Sequence, residues 1–178
     1  ARGQATGVLT SVPFSHATPA AFGAQSASRN SYRAISEQML MNPALDLIMG
    51  AGHPLFDADG RPRGSPDHRY VSAAAWAALQ GPASPRTLVQ TRADFEALAR
   101  GKLQPRLPLL GLVQVHDTLQ ANRNAAVVGE DARQPSGTAT IPGVPTLATM
   151  TRGALQVLGR QPQGFFMMVE GGAVDWMA

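Results

Sequence analysis

Cysteine is absent from the sequence, so neither a disulfide nor a thiolate metal site is available to it, although this leaves the redox compartment open. Lysine is almost missing too. Lys102 is the only one, and the arginines that supply the remaining positive charge are spread along the chain, so a net charge of +3 without a basic run speaks against nucleic-acid binding. No apolar stretch approaches the roughly 20 residues that cross a bilayer, and the first seven residues carry neither the apolar run nor the cleavage pattern of a signal peptide. What is present is enough for one domain with a core: 178 residues, 44% of them hydrophobic. An apparent core strand follows almost at once on the first residue, and a candidate site lies next to the last. Both ends are therefore expected to be cut.

Strand and helix patterns alternate along the chain. Gly7 to Val12 reads as a strand. After Ser15-His16-Ala17, Thr18 is placed to cap a helix and Pro19 to occupy its first position, with the helix running to about Arg29. A second helical pattern through Tyr32, Ile35 and Met39 ends before Pro43. Leu45 to Met49 reads as a strand closed by Gly50-Ala51-Gly52. At about 57–106 the chain is dense in Pro, Gly and Arg and is expected to leave the regular pattern, with helices around Val71 to Leu79 and after Thr91-Arg-Ala-Asp94, a capping box with Asp in place of Glu. Leu107 to Val115 is the next strand candidate, Gly129 to Pro145 a loop, and Leu147, Met150, Ala154, Val157 and Leu158 recur at helical spacing before Gly159 and Pro162. This alternation implies an α/β fold with a mostly parallel sheet and helices on both faces.

The chemistry concentrates at the end. Phe165 to Val169 is a continuous apolar run of the kind expected for a parallel strand covered on both faces. Glu170 follows it, and Gly171-Gly172 permits a sharp turn that brings Asp175 back beside Glu170, offering a hard cation or zinc two carboxylates. A strand ending in a turn with two solvated acids fits the same local pattern. Ligands of such sheets collect beyond the carboxyl ends of the strands, so neighbouring first and last strands would bring His16, Thr18, Glu170 and Asp175 to one rim.

Two separated motifs resemble the alkaline phosphatase family: Ala5-Thr-Gly-Val-Leu-Thr10 with His16-Ala-Thr-Pro-Ala20 and Arg29-Asn-Ser-Tyr32, and Gly164 to Asp175. Similarity also covers Leu45 to Gly52 and Val144 to Arg160, and is clear over roughly residues 5–56 and 107–178. The resemblance implies a three-layer, alkaline phosphatase-like sandwich of which the chain is an incomplete, internal part. It also implies phosphate monoester hydrolysis with two zinc ions and one magnesium through a phosphoserine intermediate, in a homodimer that is periplasmic or secreted.

By resemblance, Glu170 and Thr18 bind the third metal, Asp175 binds a catalytic zinc, and Arg29 clamps the substrate phosphate, a task that suits the planar guanidinium fork. Outside the family, Thr18 would be a plain helix cap and Arg29 a helix C-terminal cation. His16 stands where the enterobacterial type has Asp, so it serves either as a nitrogen ligand of the third metal, tilting that site toward zinc, or as a contact to phosphate. Trp176 with His16 resembles a bacterial subgroup. The family's Asp-Ser-Ala nucleophile motif is absent, and its next zinc-binding histidine would fall at position 179. His53, His68 and His116 match no ligand position, and Ser15, Ser26 and Ser28 lack the neighbours of a nucleophile. The resemblance thus implies an inactive segment of an active parent. The alternatives are another metallophosphoesterase or sulfatase-like protein of the same fold, or a non-enzymatic α/β interaction domain.

Overall fold

The computed structural model describes residues 3–121, 123 and 140–174. Its elements follow in the order β1 (Ala5–Pro13), α1 (Ala17–Gly23), α2 (Tyr32–Met41), β2 (Leu47–Ala51), α3 (Ala73–Gln80), β3 (Thr87–Val89), α4 (Arg92–Ala99), β4 (Leu109–Leu112), α5 (Leu147–Leu158) and β5 (Phe165–Glu170). The strands form one sheet in the order β3-β4-β2-β1-β5. All four pairings are parallel.

Alternation along the strands builds two cores, one on each face of the sheet. Leu9, Leu47, Met49 and Leu109 point to one, with Phe95 and Leu98 of α4 and Met150 and Ala154 of α5. Val8, Ile48, Leu110 and Leu112 point to the other, with Ala20, Ile35, Met39, Trp76 and Leu79 of α1, α2 and α3. Successive strand side chains face opposite ways, so a strand covered on both sides reads as an unbroken apolar run, as β2 and β4 do. Each fully buried Leu, Ile or Phe contributes about 1.5–3 kcal/mol relative to an exposed one. The result is a three-layer α/β sandwich.

Several local expectations need correction. The first helix starts at Ala17 and ends at Gly23, with His16 as N-cap and no side-chain cap bond, so Thr18 lies inside the first turn and does not cap it. A side chain at Gly23 would meet Leu45 Cδ1 at 2.3 Å, so the position takes glycine, and Asn42 Nδ2 satisfies the Gly23 carbonyl at the helix end at 2.9 Å. Among the described residues β5 is not covered on both faces. It is the last strand in the sheet order, and Phe166 and Val169 are 55% and 40% exposed. Phe166 instead stacks on Phe22 of α1 at 6.0 Å between centroids.

β2 runs two residues later than its pattern indicated, taking in Gly50 and Ala51, and β4 is shorter than Leu107 to Val115. The Pro- and Arg-rich stretch contains β3, a sheet strand that the sequence did not announce. The Thr91 and Asp94 capping box forms in full, with both reciprocal bonds present. Most of the loop at 129–145 lies outside the described residues.

Candidate functional site

β1 and β5 are register partners, with Thr10 opposite Glu170 although 160 residues separate them in sequence. Thr10 is fully buried, and its hydroxyl donates to Glu170 Oε2 at 2.6 Å. One residue further on, Ser11 Oγ donates to the Gly172 carbonyl at 3.1 Å. The turn after β5 is thereby tied to β1 through side chains as well as through the sheet. It passes tightly beneath β1: a Cβ on Gly172 would approach Val12 Cγ1 at 2.8 Å.

Beyond these strand ends lies a cavity of about 260 Å³ whose walls include His16, Thr18, Arg29 and Glu170. Thr18 and Arg29 are exposed and Glu170 is half-buried, whereas His16 is only 8% exposed. The parallel topology thus brings four predicted site residues, from both ends of the chain, to one opening. Asp175 and Trp176 lie outside the described residues.

The His16 imidazole packs in an aromatic setting, stacked on Tyr32 at 5.2 Å and tilted against Tyr70 at 5.9 Å. Burial, then the Arg29 charge, pull its pKa below the usual histidine value, while Glu170 works in the opposite direction. It is therefore held as a neutral ring at ordinary pH. Tyr70 donates its hydroxyl to Asp117 Oδ1 at 3.1 Å, and burial followed by that carboxylate raises its pKa. Burial would raise Asp117, but His116, the Tyr70 hydroxyl and Arg69 together hold it below the usual range. Arg69 lies over the Tyr32 and Tyr70 rings at 5.5 and 5.3 Å.

A family model described as alkaline phosphatase matches residues 1–178, the whole of this chain. The chain belongs to the alkaline phosphatase family. Alkaline phosphatase 3 of Bacillus subtilis is 25% identical over 98% of the chain, which covers 31% of that protein. The cold-active alkaline phosphatase of the psychrophile Shewanella sp. superposes with a TM-score of 0.64 at 26% identity, over 98% of this chain and 34% of that one. A variant of the TAB5 alkaline phosphatase, with Mg bound in its M3 site, superposes at 0.57 and 20% identity over 98% of this chain and 40% of its own, a likeness of fold. The chain spans about a third of the length of these relatives. The match includes the Pro- and Arg-rich middle, across which the residues alone show no continuous resemblance.

The side chains at this cavity could hold a metal ion, oxygen donors suiting magnesium and the His16 nitrogen suiting zinc. Glu170 supplies a carboxylate and Thr18 a hydroxyl, and magnesium accepts one or two carboxylates while keeping several waters. No group of three or more His, Cys, Asp or Glu side chains at metal-binding spacing occurs among the described residues. His53 is structural: its Nδ1 accepts from the Leu55 N–H at 3.1 Å, and its Nε2 donates to Gln90 Oε1 at 2.7 Å. His68 contacts the Val71 carbonyl through Nδ1 at 3.0 Å. His116 lies 3.3 Å from Asp117.

Thr10, Tyr70, Arg69 and Asp117 escaped sequence reasoning. Thr10 reads as an ordinary strand residue, and only the β1–β5 register reveals its partner. Asp117 lies in the loop after β4 with no motif around it, and its link to the site runs through Tyr70. Tyr32 was legible as part of Arg29-Asn-Ser-Tyr32, but not as the ring against which His16 stacks.

Proposed function

We propose that the whole protein is a metal-dependent phosphomonoesterase acting through a phosphoserine intermediate, and that this chain carries one wall of its active site. The observation that supports this reading best is the meeting of Arg29 and Glu170 at one cavity, a phosphate-clamping cation beside an oxygen ligand for a metal. Arg29 donates parallel hydrogen bonds to the non-bridging phosphate oxygens and offsets the charge of the transferred group. Glu170 and Thr18 present oxygen donors to magnesium, and His16, neutral and oriented by Tyr32, adds a nitrogen donor or a contact to the bound phosphate. Two zinc ions and one magnesium, when bound, would supply the electrostatic stabilisation on which phosphoryl transfer depends.

Asp175 completes the reading as a zinc ligand. The nucleophile and the other zinc ligands belong to the rest of the protein, so the segment alone turns over no substrate. The substrates are phosphate monoesters, and the complete protein is a periplasmic or secreted homodimer. Among the described residues no helix is long and apolar enough to cross a membrane.

The test uses the complete enzyme. Arg29→Ala should weaken phosphate and transition-state binding by about 2–4 kcal/mol, from about 1.5–3 kcal/mol per charge-assisted bond with allowance for non-additivity. Glu170→Gln should lower turnover in a way that excess magnesium partly restores by mass action, whereas the Arg29 defect should not respond to metal. Turnover and phosphate inhibition measured across a metal titration separate the two roles. Equal rescue of both variants would remove Arg29 as the clamp.

A further inference from the structure

The hydroxyl of Thr10 has its hydrogen-bonding fixed from both sides. Its oxygen accepts from the Val12 N–H at 3.2 Å, and it donates to Glu170 Oε2 at 2.6 Å. A hydroxyl has one hydrogen, and with the backbone N–H already directed at its oxygen, that hydrogen goes to the carboxylate. Thr10 is fully buried and Glu170 half-buried, so the donor side of the bond is shielded from water. The two residues are paired in register across parallel strands, which makes the approach a property of the sheet.

We propose that Thr10 is a positioning residue for the metal site: it occupies Oε2 of Glu170, fixes the carboxylate rotamer, and leaves Oε1 as the oxygen available to the cavity. This rests on the reading of Glu170 as a magnesium ligand. A glutamate has three rotatable bonds, and an unrestrained one must be ordered each time a cation binds. Here the sheet register and one charge-assisted bond order it beforehand. Ser11 supports the same end by holding the Gly172 carbonyl, which keeps the turn after Glu170 against β1. Partners of ligating carboxylates of this kind typically change metal affinity by about 10–100-fold when removed.

The experiment measures magnesium binding to the complete, metal-depleted enzyme by titration calorimetry, with thermal unfolding as a control. Thr10→Val keeps the shape and β-branching of the residue while deleting the hydroxyl, and should weaken magnesium binding by about 10–100-fold. Thr10→Ser, which keeps the donor, should restore most of the affinity. If Thr10→Val does not fold, Thr10→Ala deletes the same hydroxyl without adding bulk and serves in its place. Parent-like magnesium affinity in the hydroxyl-free variant, with affinity lost in Glu170→Gln, overturns the positioning role and leaves Glu170 as a ligand. Failure of Thr10→Ser to bind better than Thr10→Val overturns it as well. If Glu170→Gln itself binds magnesium like the parent, the ligand reading falls, and this inference falls with it.

Discussion

Replacing Arg86 with methionine should cost about 3 kcal/mol of stability, a value that follows from the groups its side chain serves and the cost of burying its charge. Arg86 is 3% exposed, and its guanidinium donates to the carbonyls of Leu40 and Leu45 at 2.8 Å each, Met39 at 2.9 Å and Asn42 at 3.2 Å. These oxygens belong to the last turn of α2 and the chain that follows it, where helix geometry leaves carbonyls without donors. Burial, partly offset by Asp46, lowers the guanidinium to about 10 from 12.5, which corresponds to about 3 kcal/mol against the charged form. Methionine removes that cost. It also strands the three most buried carbonyls, at about 1–3 kcal/mol each or about 6 kcal/mol together at the middle of that range, and setting the removed cost against this leaves a net loss of about 3 kcal/mol. Arg86→Lys keeps the charge but not the planar fork and should recover less than half of the loss. Urea unfolding gives the free energy, and hydrogen exchange at the last turn of α2 locates the change. A loss below about 1 kcal/mol, or a lysine variant as stable as the parent, would refute the reasoning.

Acid should weaken the fold through His53. Its neutral Nε2–H form is specified by Gln90 and by the Leu55 N–H, and burial lowers its pKa below 6.5 against the smaller opposing effect of the Gln90 bond. The unfolded chain therefore takes up the proton first, and stability contributed by the neutral ring is lost as pH falls from 6.5 through the folded pKa. Unfolding free energy measured from pH 7.5 downward should decline more steeply in the parent than in His53→Gln, and parallel curves would exclude this histidine. Gly111→Ala places a methyl group 2.8 Å from both Met49 Cγ and Phe95 Cε1, and should destabilise by about 1–3 kcal/mol. Phe95→Leu in the same chain should recover part of that loss, and additive effects of the two substitutions in thermal unfolding would count against the contact.

The sequence was most readable where one local rule governs. Thr91 and Asp94 form their capping box because both bonds lie within one turn, and α5 spans Leu147–Leu158 because its apolar stripe meets α4. Reading failed where partners are remote. β3 is three residues long and exists because β4 lies beside it, a pairing that no periodicity in three residues can display. The end of α1 was misjudged because the side chain that satisfies its last carbonyl, Asn42, comes from another segment. Exposure of Phe166 was misread for a related reason: an apolar run reports that a segment favours burial, not where its strand falls in the sheet order. At the site, the family motifs named His16, Thr18, Arg29 and Glu170, but Thr10 became meaningful only through register.

That register explains how residues from the two ends of a chain hold a common geometry. Parallel strands run the same way, so β1 and β5 end side by side, and whatever follows each strand emerges on the same rim. Glu170 is the last residue of its strand and takes its position directly from the sheet, reinforced by a buried hydroxyl. Arg29 is held differently: its turn is fixed locally, with Ser26 Oγ bound to the Ser28 carbonyl at 2.9 Å and the Ser31 N–H to the same carbonyl at 3.2 Å, while its side chain stays exposed at the cavity. A metal ligand must be placed before a small cation arrives, because magnesium tolerates little deviation from its preferred geometry. A phosphate clamp can reach out to a larger anion through a long side chain and close by forming its own paired bonds. On the roles proposed for Glu170 and Arg29, the residue that needs precision sits on the sheet and the residue that needs reach sits on the loop after α1, which underlies the expectation that metal restores one variant and not the other.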